Sequence, residues 1–181
     1  PENSPFIWIG NDITVEAHFD EANNITVVAA GKRRFTLFPP EQIKNLYVGP
    51  IDFTPAGQPI SLVDLRSSDL KRFSNHPKAL GHALSVELGP GDAIFIPTSW
   101  WHHVESLSPF NVLINYWWSG NYVSSALPFP MLMHALQVFK TMPIEQQRAW
   151  KAMLEHYLFE NDYDPAEHIP TESRGILGNP T

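Results

Sequence analysis

The sequence predicts a mainly β domain, an antiparallel sandwich or barrel, followed by α-helices at the C-terminal end. Three observations predict it. Up to residue 120 the apolar residues fall in short runs, rich in β-branched and aromatic side chains and bounded by Gly, Pro, Asn or Asp. Seventeen prolines punctuate the 181 residues, at Pro39-Pro40, Pro50, Pro55, Pro59, Pro90 and Pro97 among others, about twice the usual share of roughly 5%. Beyond residue 120 the spacing of apolar residues becomes helical.

Taken in order, the strands are expected at Phe6–Ile9, Ile13–Phe19, Ile25–Ala30, Phe35–Phe38, Ala83–Leu88, Ala93–Ile96, His103–Leu107 and Val112–Trp117. Leu88-Gly89-Pro90-Gly91-Asp92 is a tight-turn signal, and a hairpin is expected there. Glu41 to Ala79 is polar and without sustained periodicity, so it reads as a long loop with one short helix at Glu41–Leu46. Loops of that length in a compact domain tend to be functional covers. Many short strands without long helices between them suggest the jelly-roll or cupin kind of sandwich. Pro130 can occupy the first turn of a helix in which Leu132, Ala135, Leu136 and Phe139 recur on one face. A second helix is expected after Pro143, with Trp150, Met153, Leu154, Tyr157 and Leu158 at helical spacing. The expected organisation is a core over residues 1–120 and a helical extension over 121–181. That extension is expected to bury its apolar faces on the sheet or against a second copy, giving a homodimer.

Composition removes several functions. Lys and Arg total 12 against 19 Asp and Glu, a formal net charge of −7. A nucleic-acid or anionic-membrane surface gains affinity from clustered basic residues, so neither is expected as a partner; the only basic cluster is Lys32-Arg33-Arg34. There is no cysteine, which excludes disulfides, thiolate metal sites and a thiol nucleophile, so a metal must be held by His, Asp and Glu. No apolar stretch reaches a membrane span, and Pro-Glu-Asn-Ser-Pro is no signal sequence. A cytoplasmic location is therefore expected, and, since Pro1 is not an initiator, so is a longer chain. The eight histidines are left as the main chemistry.

His18 and Asp20 lie two apart in Ala17-His18-Phe19-Asp20, so in an extended stretch both side chains point to one face. Far downstream, Pro97-Thr98-Ser99-Trp100-Trp101-His102-His103-Val104 places further histidines at the start of a strand, after a turn. Two His and one carboxylate form the ligand set of non-haem Fe(II) oxygenases, which leaves positions free for a co-substrate and O₂. On a regular strand His102 and His103 face opposite ways, and His103 is the better structural residue.

His18-Phe19-Asp20, Gly31-Lys32-Arg33-Arg34-Phe35-Thr36-Leu37-Phe38-Pro39-Pro40, Gly89-Pro90-Gly91-Asp92, Ile96 to Ser106 and Asn115-Tyr116-Trp117-Trp118 occur in one order. In that order the sequence resembles the cupin-like Jumonji C hydroxylases, from about Phe6 to Gly120. The resemblance implies a double-stranded β-helix fold, Fe(II), and 2-oxoglutarate as co-substrate. It makes His18, Asp20 and His102 the iron ligands. Asn24 and Asn115 match asparagines beside the co-substrate in the family's asparaginyl hydroxylases. The basic residue that holds the distal carboxylate is usually Lys there and falls on Arg33 here. A guanidinium can hold a carboxylate through two parallel bonds. A bulge at Gly31 would instead turn Lys32 or Arg34 inward. Val15 stands where the family has a threonine that touches the co-substrate.

The expected activity is an Fe(II)- and 2-oxoglutarate-dependent dioxygenase that hydroxylates a C–H bond of a protein, peptide or small molecule, releasing succinate and CO₂. Two alternatives are a metal-dependent cupin isomerase or hydrolase without 2-oxoglutarate, and a non-catalytic binding or dimerisation module with a vestigial metal site. Trp100, Trp101, Trp117 and Trp118 are candidate pocket walls or core. His76 and His82 read as satisfied structural histidines, and Glu16 as solvent-facing, although its even parity with His18 leaves open a supporting role behind the ligands.

Overall fold

In the computed structural model, residues 4–67, 69, 71–119, 127–160 and 162–178 are described. The chain divides into two compact units, Pro1–Gly120 and Asn121–Thr181. Among its described residues the first holds eight strands: β1 (Phe6–Gly10), β2 (Thr14–His18), β3 (Asn23–Ala30), β4 (Arg33–Phe38), β5 (Leu84–Leu88), β6 (Ala93–Ile96), β7 (Trp101–Ser106) and β8 (Asn111–Trp118). They form two four-stranded sheets, ordered β1-β8-β3-β6 and β2-β7-β4-β5, and every described pairing is antiparallel. Successive strands change sheet at each connection except β4 to β5, so the chain winds around the sandwich as a jelly roll does.

This winding corrects the hairpin expected at Gly89-Pro90-Gly91-Asp92. The tight turn forms, with the Asp92 N–H donating to the Gly89 carbonyl at 3.0 Å and the Gly89 N–H donating to Asp92 Oδ2 at 2.9 Å. Yet β5 pairs with β4 while β6 pairs with β3. The turn is a corner between sheets.

Alternation along the strands separates an inner and an outer face. Val28, Phe35, Leu37, Leu88, Ile96, Val104 and Leu113 meet between the sheets. Burying a residue such as Phe35 stabilises by about 1.5–3 kcal/mol. On the other side of β4 and β7, Phe38 and Trp101 pack with Ala17, Leu46 and Ala79 into a second cluster. The long segment between β4 and β5 supplies that cover. It contains a 3₁₀ turn at Pro40–Asn45, near the short helix expected, and a further helix, α1 (His76–Leu80). The segment is tied to β2, where the Ser61 N–H donates to the Ala17 carbonyl at 2.7 Å. Much of what read as a loop is thus the outer wall of one sheet.

In the second unit, α2 (Pro128–Phe139) carries prolines in its first turn and α3 (Ile144–Leu154) follows Pro143; Tyr157 and Leu158 belong to a wider turn at Glu155–Phe159. Neither helix holds a fully buried residue. Among the described residues, no helix is long and apolar enough to cross a membrane.

Candidate functional site

The inner face of the sandwich closes around a cavity of about 180 Å³, and His18, Asp20, His102, Arg33, Asn24 and Asn115 all stand in its wall. Five different strands and one loop contribute them. His18 and His102 are opposite each other in the β2–β7 pairing, with ring centroids 4.2 Å apart. Asp20 lies just past β2, in a loop held by the turn before β7, where the Ser99 N–H donates to the Asp20 carbonyl at 2.9 Å. One side-chain donor atom from each of His18, Asp20 and His102 lies within 4.8 Å of the others. The separation of His102 Nε2 from Asp20 Oδ2 is 3.6 Å.

The ring nitrogens are assigned by their backbone partners. His18 Nδ1 lies 2.9 Å from the Glu16 carbonyl and His102 Nδ1 3.1 Å from the Trp100 carbonyl. A carbonyl only accepts, so both Nδ1 atoms carry the proton and both Nε2 lone pairs are free to ligate, the usual arrangement of metal-binding histidines. Burial pushes His102 well below the ordinary 6.5, to about 4, with the neighbouring His18 adding to the shift and the Asp20 carboxylate opposing it. Neutral imidazole is the form that binds a metal. The donor set of two nitrogens and one carboxylate oxygen fits Fe(II) and other first-row divalent ions.

Of the basic cluster, Arg33 is the residue that lines the cavity. Gly31 has a φ of 76°, and a Cβ there would lie 2.4 Å from the Phe110 carbonyl oxygen. Only glycine fits this left-handed close approach. From that turn β4 runs with Arg33 inward, 5% exposed, while Lys32 stays exposed. Arg34 faces outward and pairs with Glu87 at 2.6 Å and Glu105 at 2.9 Å. Arg33 Nε is buried without a partner, and burial lowers its pKa. A guanidinium at a cavity wall, among the described residues without a salt bridge, calls for an anion.

Both asparagines have their amide oxygens occupied from the wall. Trp8 Nε1 donates to Asn115 Oδ1 at 2.8 Å, and Thr26 Oγ1 donates to Asn24 Oδ1 at 2.9 Å. What they offer a ligand is N–H. Together with Arg33 they make a wall of donors beside the metal-ligand cluster. Trp8 and Thr26 escaped sequence reading, because the donors reach their asparagines only through sheet packing. Of the four candidate tryptophans, Trp117 lines the cavity. Trp101 joins the outer cluster, Trp100 packs on the inner one and Trp118 stacks on Phe95.

Two expectations are corrected on the outer face. The β2–β7 register shifts between Val15 and His18. Val15 and His18 both line the cavity, whereas Ala17 joins the outer cluster and Glu16 approaches His103, with Oε2 and Nε2 3.8 Å apart. The bulge puts Glu16 and Ala17 on the same outer face, and there, close enough to Asp64 and Arg66 to feel their charges, Glu16 is half-buried instead of solvent-facing. Burial raises its pKa, with Asp64 adding to that shift and Arg66 opposing it. His103 does face away from the cavity. His76 is not the satisfied histidine expected: it is fully buried, and among the described residues neither ring nitrogen has a partner. His82 is satisfied, through Nδ1 and the Lys78 carbonyl at 2.9 Å.

The family profile described as "Cupin-like domain" matches residues 1–124, the sandwich and all its cavity residues. The chain belongs to the cupin-like family of JmjC type. Curated relatives of this cupin-like chain include human "HSPB1-associated protein 1", 38% identical over 113 residues, 61% of this chain and 22% of the relative. "Lysine-specific demethylase JMJ31" of Arabidopsis thaliana is 32% identical over 108 residues, 60% of this chain and 19% of the relative. "tRNA wybutosine-synthesizing protein 5" of Mus musculus is 34% identical over 101 residues, 56% of this chain and 29% of the relative. The cupin-like chain thus spans less than a third of the length of these relatives.

Proposed function

We propose that this protein is an Fe(II)- and 2-oxoglutarate-dependent oxygenase that hydroxylates a C–H bond. The observation that carries the reading is the presence, in one small cavity, of the His18, Asp20 and His102 donor atoms and a buried guanidinium, Arg33, with no carboxylate partner among the described residues. His18, Asp20 and His102 would hold the metal, with Nε2 of each imidazole and a carboxylate oxygen as donors. When bound, Fe(II) supplies the activation of O₂ coupled to decarboxylation of 2-oxoglutarate to succinate and CO₂.

The chain's own residues bind, orient and exclude. Arg33 pairs with the distal carboxylate through two parallel N–H donors, a geometry that Lys cannot reproduce. Val15 adds an apolar contact where no hydroxyl is available. Asn24 and Asn115 donate to the oxoacid end. Phe35, Ile96, Val104 and Leu113 line the remaining wall and keep water from it, which strengthens every charge-assisted bond inside.

A protein or peptide is the favoured substrate class. Relatives bear the names of a protein-associated factor and a lysine demethylase, and a net charge of −7 suits a neutral or basic peptide. Leu132 and Trp150, large apolar residues exposed on α2 and α3, fit the pairing of two copies, which sedimentation of the intact chain tests.

The deciding experiment adds 2-oxoglutarate anaerobically to the Fe(II)-loaded protein. The expected result is a visible metal-to-ligand charge-transfer band, lost in Asp20→Ala and His102→Ala. No band at saturating 2-oxoglutarate overturns the oxygenase reading. Metal binding without the band would point to a cupin isomerase or hydrolase, and no metal binding to a vestigial site.

A further inference from the structure

Trp8 stands on β1, half exposed, with its ring at the cavity wall. Its Nε1 donates to Asn115 Oδ1 at 2.8 Å. An indole nitrogen has no acceptor capacity, so this contact fixes the orientation of the amide, with Oδ1 toward Trp8 and Nδ2 turned from it. Asn115 is buried and lines the cavity, so two N–H donors are what it has left for a ligand. The indole is itself held. Phe6 and Trp8 both meet Trp117 edge-on, at centroid distances of 4.9 and 6.2 Å, and Trp117 donates to Asp20 Oδ2 at 3.1 Å.

We propose that Trp8 is a positioning residue that acts through Asn115: by occupying the amide oxygen it presents the Asn115 N–H₂ as a fixed donor to the oxoacid end of bound 2-oxoglutarate. The inference rests on the oxygenase reading above. The chemistry of the ligand makes the orientation matter. The oxoacid end brings a carboxylate and a keto oxygen, all acceptors. An amide free to rotate would place its own oxygen against them in part of the population, and two acceptors face to face repel. Locking the amide removes that state before the ligand arrives, a gain from preorganisation and not from an added contact. Trp8 touches neither metal nor co-substrate in this scheme. Thr26 holds Asn24 in the same way, but a hydroxyl can donate or accept, so only the indole makes the assignment unambiguous.

The test uses the intact chain. Trp8→Phe keeps an aromatic ring against Trp117 and removes the donor alone. Calorimetric titration of 2-oxoglutarate into the anaerobic Fe(II) protein is expected to show binding roughly three- to tenfold weaker in Trp8→Phe. Asn115→Ala is weaker than wild type, and the double variant is no weaker than Asn115→Ala alone, since the tryptophan acts only through the amide. A second readout needs no ligand: in the metal-free wild type the Trp8 indole N–H is protected from solvent exchange in NMR spectra, and that protection is lost in Asn115→Ala. Wild-type affinity in Trp8→Phe, additive losses in the double variant, or an unprotected indole would each overturn the assignment while leaving the oxygenase reading standing. A wild-type protein that binds no 2-oxoglutarate overturns both.

Discussion

Trp117 Nε1 donates a hydrogen bond of 3.1 Å to Asp20 Oδ2, the same oxygen that lies 3.6 Å from His102 Nε2. The carboxylate is the one metal-ligand candidate outside a strand, so its direction is set by what holds it and not by a pleat. The indole supplies that hold. Partners of metal ligands typically contribute 10- to 100-fold in metal affinity. Trp117→Phe is expected to weaken Fe(II) or Co(II) binding about tenfold, measured by competition with a chelator, while the protein stays folded. Unchanged metal affinity would mean that the Asp20 loop is oriented by its backbone alone.

Arg33 sets stability against binding. A buried guanidinium whose Nε has no partner costs free energy that an apolar side chain of similar length would not, and unpaired buried charge is a recurrent source of instability. Arg33→Met should therefore unfold at a higher temperature than wild type in the absence of ligand. The same variant should lose the upward shift of the midpoint that 2-oxoglutarate gives the metal-loaded wild type, because only ligand-bound protein is stabilised by mass action. Arg33→Lys is expected to recover part of that shift. A wild-type shift retained in Arg33→Met would remove the guanidinium from co-substrate binding.

Signals confined to a few adjacent residues were legible in the sequence, and those set by a strand's partner were not. The strands carry short runs of β-branched, aromatic or other apolar residues bounded by turn residues, which is why their positions could be read. The spacing of His18 and Asp20 let both be read onto one face, and the family resemblance singled out His102 beside them; the structure brings one donor atom of each within 4.8 Å of the others. Gly89-Pro90-Gly91-Asp92 specifies a reversal of the chain, but whether the next strand pairs with the last one or crosses to the other sheet depends on partners far away along the chain; β6 pairs with β3, from Asn24 with Ile96 to Val27 with Ala93, and crossing wins. Glu16 was misread because nothing local shows that the outer face of β2 is covered: it does alternate with the inward Val15, but Asp64 and Arg66 of the segment between β4 and β5 act on it there. His76 looked like an ordinary loop histidine because nothing local shows that its segment is pressed against Phe38, whose ring centroid lies 6.2 Å away.

Phe38 tests whether that segment is structural. Its side chain is fully buried on the outer face of β4, where Leu46, Ala79 and Trp101 meet it. Phe38→Ala is expected to cost about 3–5 kcal/mol of stability in denaturant titrations. It should also raise the rate of proteolysis within residues 46–83 more than elsewhere, since this cluster is what holds the cover down. A loss below about 1 kcal/mol, or cleavage spread evenly over the chain, would show that the cover does not depend on this side chain.

Acid should unfold the metal-free protein early, through its histidines. Burial lowers the pKa of His76 below 6.5. It does the same to His102, down to about 4, and to His103, where Glu105 opposes the shift. A group whose folded pKa is depressed binds more protons unfolded than folded once pH falls below its unfolded value, so stability declines as pH is lowered and is fully present above that value. The expected fall begins near pH 6.5, the ordinary histidine value, and continues to about pH 4 as the folded-state imidazoles remain neutral. His76→Phe removes an imidazole whose ring nitrogens are unpartnered and places a second ring beside Phe38. That variant should be more stable than wild type at pH 5, with a smaller difference at pH 8, in urea titrations at the two values. An equal difference at both pH values would mean that His76 takes up a proton alike in the folded and unfolded states, and would remove it from the acid response.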